Sequence, residues 1–477
     1  MLILTTVLIY FAVLFGISRL TSRKADNETF YRANRKSPWY MVAFGMIGAS
    51  VSGASFVSVP GMVMHMDMTY MQTCIGFILG YFAVAFILLP VYYRLNLTTI
   101  YSYLRGRLGP RSYKTGAAFF ILSDLTAVAV KFYVVCIILQ RFVLDAYGVP
   151  FAVTVPVLMF LIWLYTHKGG IKTLVWTDTV QTACMLVALV LIIVKVAGAL
   201  DMNITEAARA VAADSHSRMF VFDDWMSTQN FLKQLISGAF IVIVMTGLNQ
   251  NMMQKNLTCK TLGEARKDMC AYGFAFVPVN LLFLCLGVLL MMLAKRNGMA
   301  LPDSPDELLP MFAATGLLGP TVVVLFMIGI VAASASTVDS SLTALTTSYC
   351  VDIKEKPDDI SLRRRVHVAI ALLFVVFILL FKAINSTSVI DAIYILCSYT
   401  YGPLLGLFAF GLLTKRQVTD KAAPYIAVAS PLICLAANYI VPAATGYKFG
   451  YELLLLNGMI TFAGLWLSGL RKSTASN

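Results

Sequence analysis

Long apolar runs, separated by short polar breaks, extend along nearly the whole chain and limit what it can fold into. Of the 477 residues, 59% are hydrophobic and 13% are charged, whereas ordinary globular chains carry about a quarter charged residues. A helix needs roughly 20 apolar residues to cross a bilayer. The long runs also lack the strict alternation of apolar and polar residues that is typical of membrane barrels. The sequence therefore predicts an all-α polytopic membrane protein.

We expect about 13 transmembrane helices, with ends defined by polar residues and loops. The predicted spans are 2–18, 39–63, 70–93, 115–143, 149–166, 174–198, 231–249, 269–293, 316–347, 366–383, 389–413, 422–441 and 450–469. No polar stretch between them is long enough for a separate soluble domain. Residues 1–477 are therefore predicted to form a single transmembrane domain.

The net charge of +13 follows from basic residues that concentrate in alternate loops. Loops on this side include Arg23 and Lys24, Arg105 and Arg107, Lys255 and Lys260, and the run Arg363–Arg365. Loops rich in lysine and arginine face the cytoplasm, so we expect the N-terminus outside and the C-terminus in the cytoplasm. Because membrane topology accounts for the excess charge, the sequence does not indicate a nucleic-acid partner.

Cysteine and histidine are placed in a way that does not favour metal or nucleophilic catalysis. The 9 cysteines form no CxxC pair, and the 4 histidines are far apart in the chain. A structural zinc site or a catalytic cluster needs several such residues close together. We therefore predict that the protein is not an enzyme.

Two spans contain dense sets of small and hydroxyl residues. The second span carries the run Gly48–Ser55, and the ninth carries Ala332–Ser341, which includes Asp339. Unwound backbone and hydroxyl oxygens at this depth would suit a small hard cation such as sodium. Small residues also let helices pack closely in membranes, so this alternative stays open for both runs.

Asp178 and Lys131 are charged residues inside predicted spans. Asp178 lies near the start of the sixth span, where it is either functional or a carboxylate favoured by the helix dipole. Lys131 lies near the middle of the fourth span, two turns from Asp124. A charge at that depth faces the protein interior. Lys131 is therefore predicted either to meet an anionic substrate or to form an ion pair with Asp124.

Four motifs make the sequence resemble the sodium:solute symporter family, over about residues 37–416. The matching segments are Gly169–Gln181, Gly247–Leu257, Ala333–Thr337 and Tyr401–Phe408. The resemblance implies the inverted five-plus-five repeat of the leucine-transporter fold, with one extra N-terminal and two extra C-terminal helices. The repeats would be residues 39–198 and 231–413, with discontinuous first helices near Val51 and Gly247.

The resemblance also implies sodium as the coupling ion and places its ligands. The first sodium would be held by carbonyls or hydroxyls of Gly48, Val51, Ala333, Ser336 and Thr337. Some relatives, notably bacterial sialic acid symporters, hold a second sodium, for which the matching residues are Asp178, Ser336, Asp339 and Ser340. Asp339 stands where a serine is usual, so this chain departs from the family pattern at the second site.

The same relatives suggest which residues bind the substrate. The matching positions are Ser50, Ser52, Ser55, Gln72, Lys131 and Asn249. Lys131 stands where the relatives use an arginine for the carboxylate of the sugar, and lysine keeps the charge but loses the bidentate fork. Cys397 stands where glucose-type relatives carry a glutamine, which argues against a glucose-like pocket.

The predicted function is sodium-coupled symport of a small carbohydrate-like solute, with sialic acid or a related acidic sugar favoured. The resemblance implies a multi-pass protein of the bacterial inner membrane whose partners are the solute, sodium and the lipid bilayer, without an obligate protein partner. The alternatives are symport of a neutral sugar, or of an amino acid or other monocarboxylate. A transporter-like sensor is disfavoured because the tail after Arg471 is short.

Overall fold

Helices are the only extended regular elements in the part of the chain that the structure describes. The structure is a computed structural model that describes residues 2–22, 26–384 and 389–473. The helices are α1 Leu2–Thr21, α2 Asn27–Arg32, α3 Trp39–Ser50, α4 Gly53–Met66, α5 Tyr70–Ala83, α6 Leu89–Arg94, α7 Ser102–Arg107, α8 Pro110–Leu139, α9 Phe151–Thr166, α10 Ile171–Ala199, α11 Ile204–Ala213, α12 Phe231–Val242, α13 Gln250–Asn256, α14 Leu262–Arg296, α15 Leu308–Thr315, α16 Gly319–Ser348, α17 Ile360–Ile384, α18 Val389–Thr400, α19 Gly402–Leu413, α20 Ala423–Thr445 and α21 Leu453–Ser473.

The apolar helices agree with the predicted architecture, although their number is not fixed. Within the described residues, seven helices are long and apolar enough to cross a membrane, and nine if each of two bent pairs is one span. Four further apolar helices are shorter. A helix suits a bilayer because it satisfies its own backbone hydrogen bonds. The all-α membrane class is confirmed, and the count of 13 stays a prediction.

Several segments differ from the predicted spans. The predicted span 389–413 is two helices, α18 and α19, and α19 begins at Gly402 and Pro403. A proline is favoured at the start of a helix because its missing N–H would be unpaired there. Short helices in the polar connections, such as α11, begin at local caps. Asn203 caps α11 by accepting from the N–H of Glu206.

Two bent helix pairs coincide with the predicted discontinuous helices. α3 and α4 are bent by 61° across residues 51–52. α12 continues through a wider π-helical turn, Ile243–Gly247, and then meets α13 at a bend of 70°. The predicted breaks near Val51 and Gly247 are therefore confirmed.

The central helices bring these breaks together. α10 packs against both α16 and α3, α16 packs against α8, and α12 packs against α5. α20 and α21 pack against each other at the C-terminal end of the chain. α16 is almost entirely buried from Val322 to Ser348. The hydroxyl-rich part of α16 therefore lies at the centre of the molecule, beside the break between α3 and α4.

One basic residue that was assigned to a cytoplasmic loop lies inside the protein. Lys255 is 1% exposed and belongs to α13, within the second bent pair. Its placement in a loop is therefore wrong, because the chain past the second break continues as a buried helix. Arg23 and Lys24, which were assigned to the same side, lie outside the described residues.

Candidate functional site

The break between α3 and α4 frees backbone oxygens in the protein interior. α3 ends at Ser50, and Val51 leaves the helical region with φ −76° and ψ 85°. The N–H of Ser52 bonds to the carbonyl of Ser50 at 3.0 Å, whereas a continuous helix would direct it to Gly48. The carbonyl of Gly48 thereby loses its usual helical donor. Such a break is tolerated in a membrane where it faces protein, an ion or a polar cavity.

The small residues of this segment also serve close packing. A Cβ atom added to Gly48 would lie 2.1 Å from Oγ1 of Thr182 on α10. A Cβ atom added to Gly53 would lie 2.1 Å from Oγ of Ser334 on α16. Close helix packing and an unwound backbone therefore occur in the same segment. Gly48 and Gly53 let neighbouring helices approach, and the backbone is unwound at residues 51–52, between these two glycines.

A cavity lies between the two breaks and contains most of the predicted substrate residues. Its lining includes Ser50, Ser52, Ser55, Lys131, Asn249, Asp124, Thr337, Tyr70, Tyr81, Tyr272 and Tyr401. Of the six residues predicted to bind substrate, only Gln72 is missing from the lining. Polar hydroxyl and amide groups together with aromatic rings give the cavity the mixed character of a small-solute site.

Gln72 has a different role in this structure. Its amide donates to the carbonyl of Gln229 at 2.9 Å and accepts from the N–H of Val221 at 3.0 Å. The side chain is fully buried. The prediction that Gln72 faces the substrate is therefore not met in this conformation, since its amide fastens α5 to the connection that precedes α12.

Lys131 lines the cavity from the middle of α8. None of the ion pairs found among the described side chains includes Lys131. Asp124 accepts hydrogen bonds from Asn249, at 3.1 Å, and from the hydroxyl of Ser341. The alternative of an ion pair between Lys131 and Asp124 is therefore not observed. Lys131 therefore lines the cavity without a carboxylate paired to its ammonium.

The four tyrosines that line the cavity, Tyr70, Tyr81, Tyr272 and Tyr401, were not predicted from the sequence. The hydroxyl of Tyr81 donates to that of Tyr272 at 2.8 Å, and Tyr272 bonds to Ser50. Asn249 donates to the hydroxyl of Tyr401 at 2.7 Å. Tyr401 stands in one of the recognised motifs, which was a usable signal. Tyr81 and Tyr272 lie in ordinary apolar spans, and only the fold brings them to the cavity.

Thr337, one of the predicted ligands of the first sodium, contacts the end of α3. The hydroxyl of Thr337 donates to the carbonyl of Ala49 at 3.2 Å and to that of Ala333 at 3.0 Å. Ala49 lies between the two predicted carbonyls of Gly48 and Val51. Thr337 thus reaches from α16 to one backbone carbonyl beside the first break. Oxygen ligands of this kind suit a hard monovalent cation.

One of the predicted ligands of the second sodium, Asp178, pairs with a lysine instead. Oδ2 of Asp178 lies 2.7 Å from Nζ of Lys255, and Oδ1 accepts from the hydroxyl of Ser336 at 2.6 Å. The two charged side chains are only 1% and 2% exposed. The open alternative of a solvated helix-start carboxylate is therefore wrong, because Asp178 forms a buried ion pair.

The other two predicted ligands lie one turn along α16. Oδ2 of Asp339 accepts from the hydroxyl of Tyr165 at 2.6 Å, and Oδ1 accepts from Ser340 at 3.1 Å. Asp339 is fully buried. Its carboxylate is therefore stabilised by neutral donors, as a buried charge requires.

The glycine pair that precedes α10 helps to position Asp178. Gly170 has φ +49°, which favours glycine, and a Cβ atom there would lie 2.5 Å from the ring of Phe30. α10 begins at the next residue, so Asp178 follows after about two helical turns and faces α16.

The chain is similar to sodium-coupled transporters over most of its length. The profile of the sodium:solute symporter family matches residues 30–424. The sodium/sialic acid symporter NanT of Aliivibrio fischeri is 25% identical over 476 residues, covering 95% of this chain and 90% of that protein. The sodium/sialic acid symporter SiaT of Proteus mirabilis is 24% identical over 461 residues and covers 90% of each.

A solved structure agrees in fold. A Na+-coupled sialic acid symporter, in a substrate-bound outward-open state, superposes with a TM-score of 0.84 and 20% identity over 99% of this chain and 98% of that one. At this identity the likeness shows the fold alone, and the predicted leucine-transporter fold is confirmed. The family profile covers most of the chain, including both breaks and every residue of the candidate site. The chain therefore belongs to the sodium:solute symporter family.

Proposed function

We propose that the protein is a sodium-coupled symporter that imports a small acidic sugar of the sialic acid class. The observation that carries this proposal is Lys131, which lines the cavity between the broken helices and forms no ion pair with a described carboxylate; Asp124 of the same cavity attracts it from a longer distance. A cation inside a membrane domain is costly unless it meets an opposite charge. A carboxylate on the solute supplies that charge.

The rest of the cavity suits a polyhydroxylated solute. Ser52 and Ser55 offer hydroxyls from the first broken helix, and Asn251 offers an amide from the second. The rings of Tyr70 and Phe77 provide apolar faces. Hydroxyl and amide partners are expected where a sugar must exchange its hydration for protein contacts. The two sialic acid symporters named above support the same class of substrate.

The first sodium is proposed to bind at the end of α3. The carbonyls of Gly48, Val51 and Ala333 and the hydroxyls of Ser336 and Thr337 are its proposed ligands. Ser336 donates its proton to Asp178, which leaves its oxygen lone pairs available to a cation. Sodium would replace the proton of Thr337 as the link between α16 and the first broken helix. Binding would thereby hold α3 against α16 and complete the adjacent cavity.

Alternating access follows from this arrangement. Within the two proposed repeats, residues 39–198 and 231–413, a helical bundle would rock against its scaffold around the central site. Sodium would favour the outward-open state by binding it more tightly than the other states, since a ligand shifts an equilibrium only through differential affinity.

We propose that the protein lies in the bacterial inner membrane with its N-terminus outside and its C-terminus in the cytoplasm, on the basis of the charge distribution in its loops. A C-terminal epitope tag should resist protease in intact spheroplasts and be removed in inverted vesicles. Removal from intact spheroplasts would contradict this orientation.

Lys131→Ala should strongly reduce sodium-driven uptake of labelled N-acetylneuraminic acid into proteoliposomes at low solute concentration. Loss of a hydrogen bond to a charged group costs about 1.5–3 kcal/mol, so affinity should fall roughly 10- to 100-fold. Lys131→Arg should keep partial activity because it keeps the charge. Lys195→Ala is the matched control, since this lysine is exposed near the end of α10.

Uptake of N-acetylneuraminic acid that is equal in Lys131→Ala and Lys195→Ala would contradict the proposed carboxylate contact. Transport of a neutral sugar, an amino acid or a simple monocarboxylate in place of N-acetylneuraminic acid would reject the acidic sugar while leaving sodium symport intact.

Thr337→Val should raise the sodium concentration needed for half-maximal uptake about tenfold, which corresponds to roughly 1.4 kcal/mol. Valine keeps the shape of threonine but removes the hydroxyl that reaches Ala49. Ser334→Ala is the control on the same helix, because its hydroxyl is buried without a hydrogen-bond partner among the described residues. An identical sodium dependence in both variants would exclude Thr337 as a ligand.

A further inference from the structure

Lys255 brings an amino group to the place where the family pattern predicted a second sodium. Its ammonium lies 2.7 Å from Asp178, and both side chains are almost completely buried. Asp178 also accepts from Ser336. Two of the four predicted ligands are therefore engaged with each other and with a lysine of this chain. The predicted cation site does not fit a free ion beside Asp178 in this structure.

We propose that the ammonium of Lys255 is a covalently attached replacement for the second coupling cation. This inference rests on the proposed sodium-coupled symport and specifies its stoichiometry as one sodium for each solute. Lysine carries the same single charge as sodium, and its three N–H donors suit carboxylate and hydroxyl oxygens. Because the ammonium stays bonded to α13, it cannot cross the membrane and contributes nothing to coupling.

Electrostatics explains why the lysine excludes a second ion. A sodium ion at Asp178 would have to displace the ammonium or lie a few ångströms from it, and like charges in a buried environment repel strongly. Displacement would leave the ammonium buried without a partner. Asp339 interacts electrostatically with both members of the pair, but Tyr165 and Ser340 already donate to its two oxygens.

The ion pair between Lys255 and Asp178 connects three helices. α13 follows the second break, whereas α10 and α16 carry Asp178 and Ser336. The pair therefore joins the second broken helix to both of these helices without an ion. In a protein with a sodium ion at this position, the corresponding contact would depend on the sodium concentration.

The stoichiometry predicts how transport responds to voltage. One sodium ion and one singly charged anion move no net charge, so a membrane potential adds no driving force. A tenfold sodium gradient would then support about tenfold accumulation of solute. A second sodium would make each cycle electrogenic.

Two measurements on the full-length protein test the inference. The first is the dependence of the melting temperature on sodium concentration without solute, since at saturation the stabilisation grows in proportion to the number of bound ions. The second is uptake of N-acetylneuraminic acid into proteoliposomes with and without an inside-negative potential. We expect the wild-type protein to show a one-ion slope and uptake that does not respond to the potential.

Lys255→Met should convert the site into a sodium site. Methionine is neutral and of similar length, so Asp178 would be left beside Ser336, Asp339 and Ser340 without its cation. We expect the slope of melting temperature against the logarithm of sodium concentration to double relative to wild type, and uptake to become faster at an inside-negative potential. The matched control is Lys255→Met combined with Asp178→Asn, which should return the slope to that of one ion.

A two-ion slope or voltage-stimulated uptake in the wild-type protein would overturn the inference, even if Lys255→Met failed to fold. Equal slopes in Lys255→Met and in the double variant would also overturn it. A one-ion slope without uptake of N-acetylneuraminic acid would reject only the proposed substrate. Sodium insensitivity of all three proteins would reject sodium coupling and this inference together.

Discussion

The buried ion pair between Lys255 and Asp178 is the constraint on which the centre of this transporter depends. Removing one partner of a buried pair costs about 3–5 kcal/mol, because the other charge is left uncompensated. The pair fixes α13 against α10, and the hydroxyl of Ser336 adds α16 to the same junction. The half-helix after the second break is thereby anchored, and Asn249 at its start is held in the cavity. The position of the proposed solute site thus follows from an interaction that itself binds no solute.

The first break is stabilised in a different way. There the carbonyl of Ala49 accepts from Thr337 rather than from a charged side chain, and neutral oxygens bind a monovalent cation reversibly. Ser336 and Thr337 are neighbours on α16: Ser336 donates to Asp178, whereas Thr337 donates to the carbonyl of Ala49. α16 therefore joins the buried ion pair to the end of α3, where the first sodium is proposed to bind.

Much of this organisation could be predicted from the sequence. Apolar runs defined the all-α membrane class, and the motifs identified the family, which confirms the prediction of a sodium-coupled transporter rather than an enzyme. The breaks near Val51 and Gly247 were also predictable, because the family resemblance implies both, and glycine and hydroxyl residues interrupt the apolar helix at the first. Lys255 was misplaced because its flanking residues are polar and resemble a loop, and only the packing of α13 shows that it is buried. Gln72 was misplaced because a match in position does not show which way a side chain points.

The most direct test is an experimental structure at saturating sodium and N-acetylneuraminic acid, at a resolution that distinguishes ions from side chains. The account predicts cation density at the end of α3 beside Thr337, solute carboxylate density beside Lys131, and continuous side-chain density joining Lys255 to Asp178. A cation between Asp178 and Asp339, with the side chain of Lys255 turned away, would contradict it.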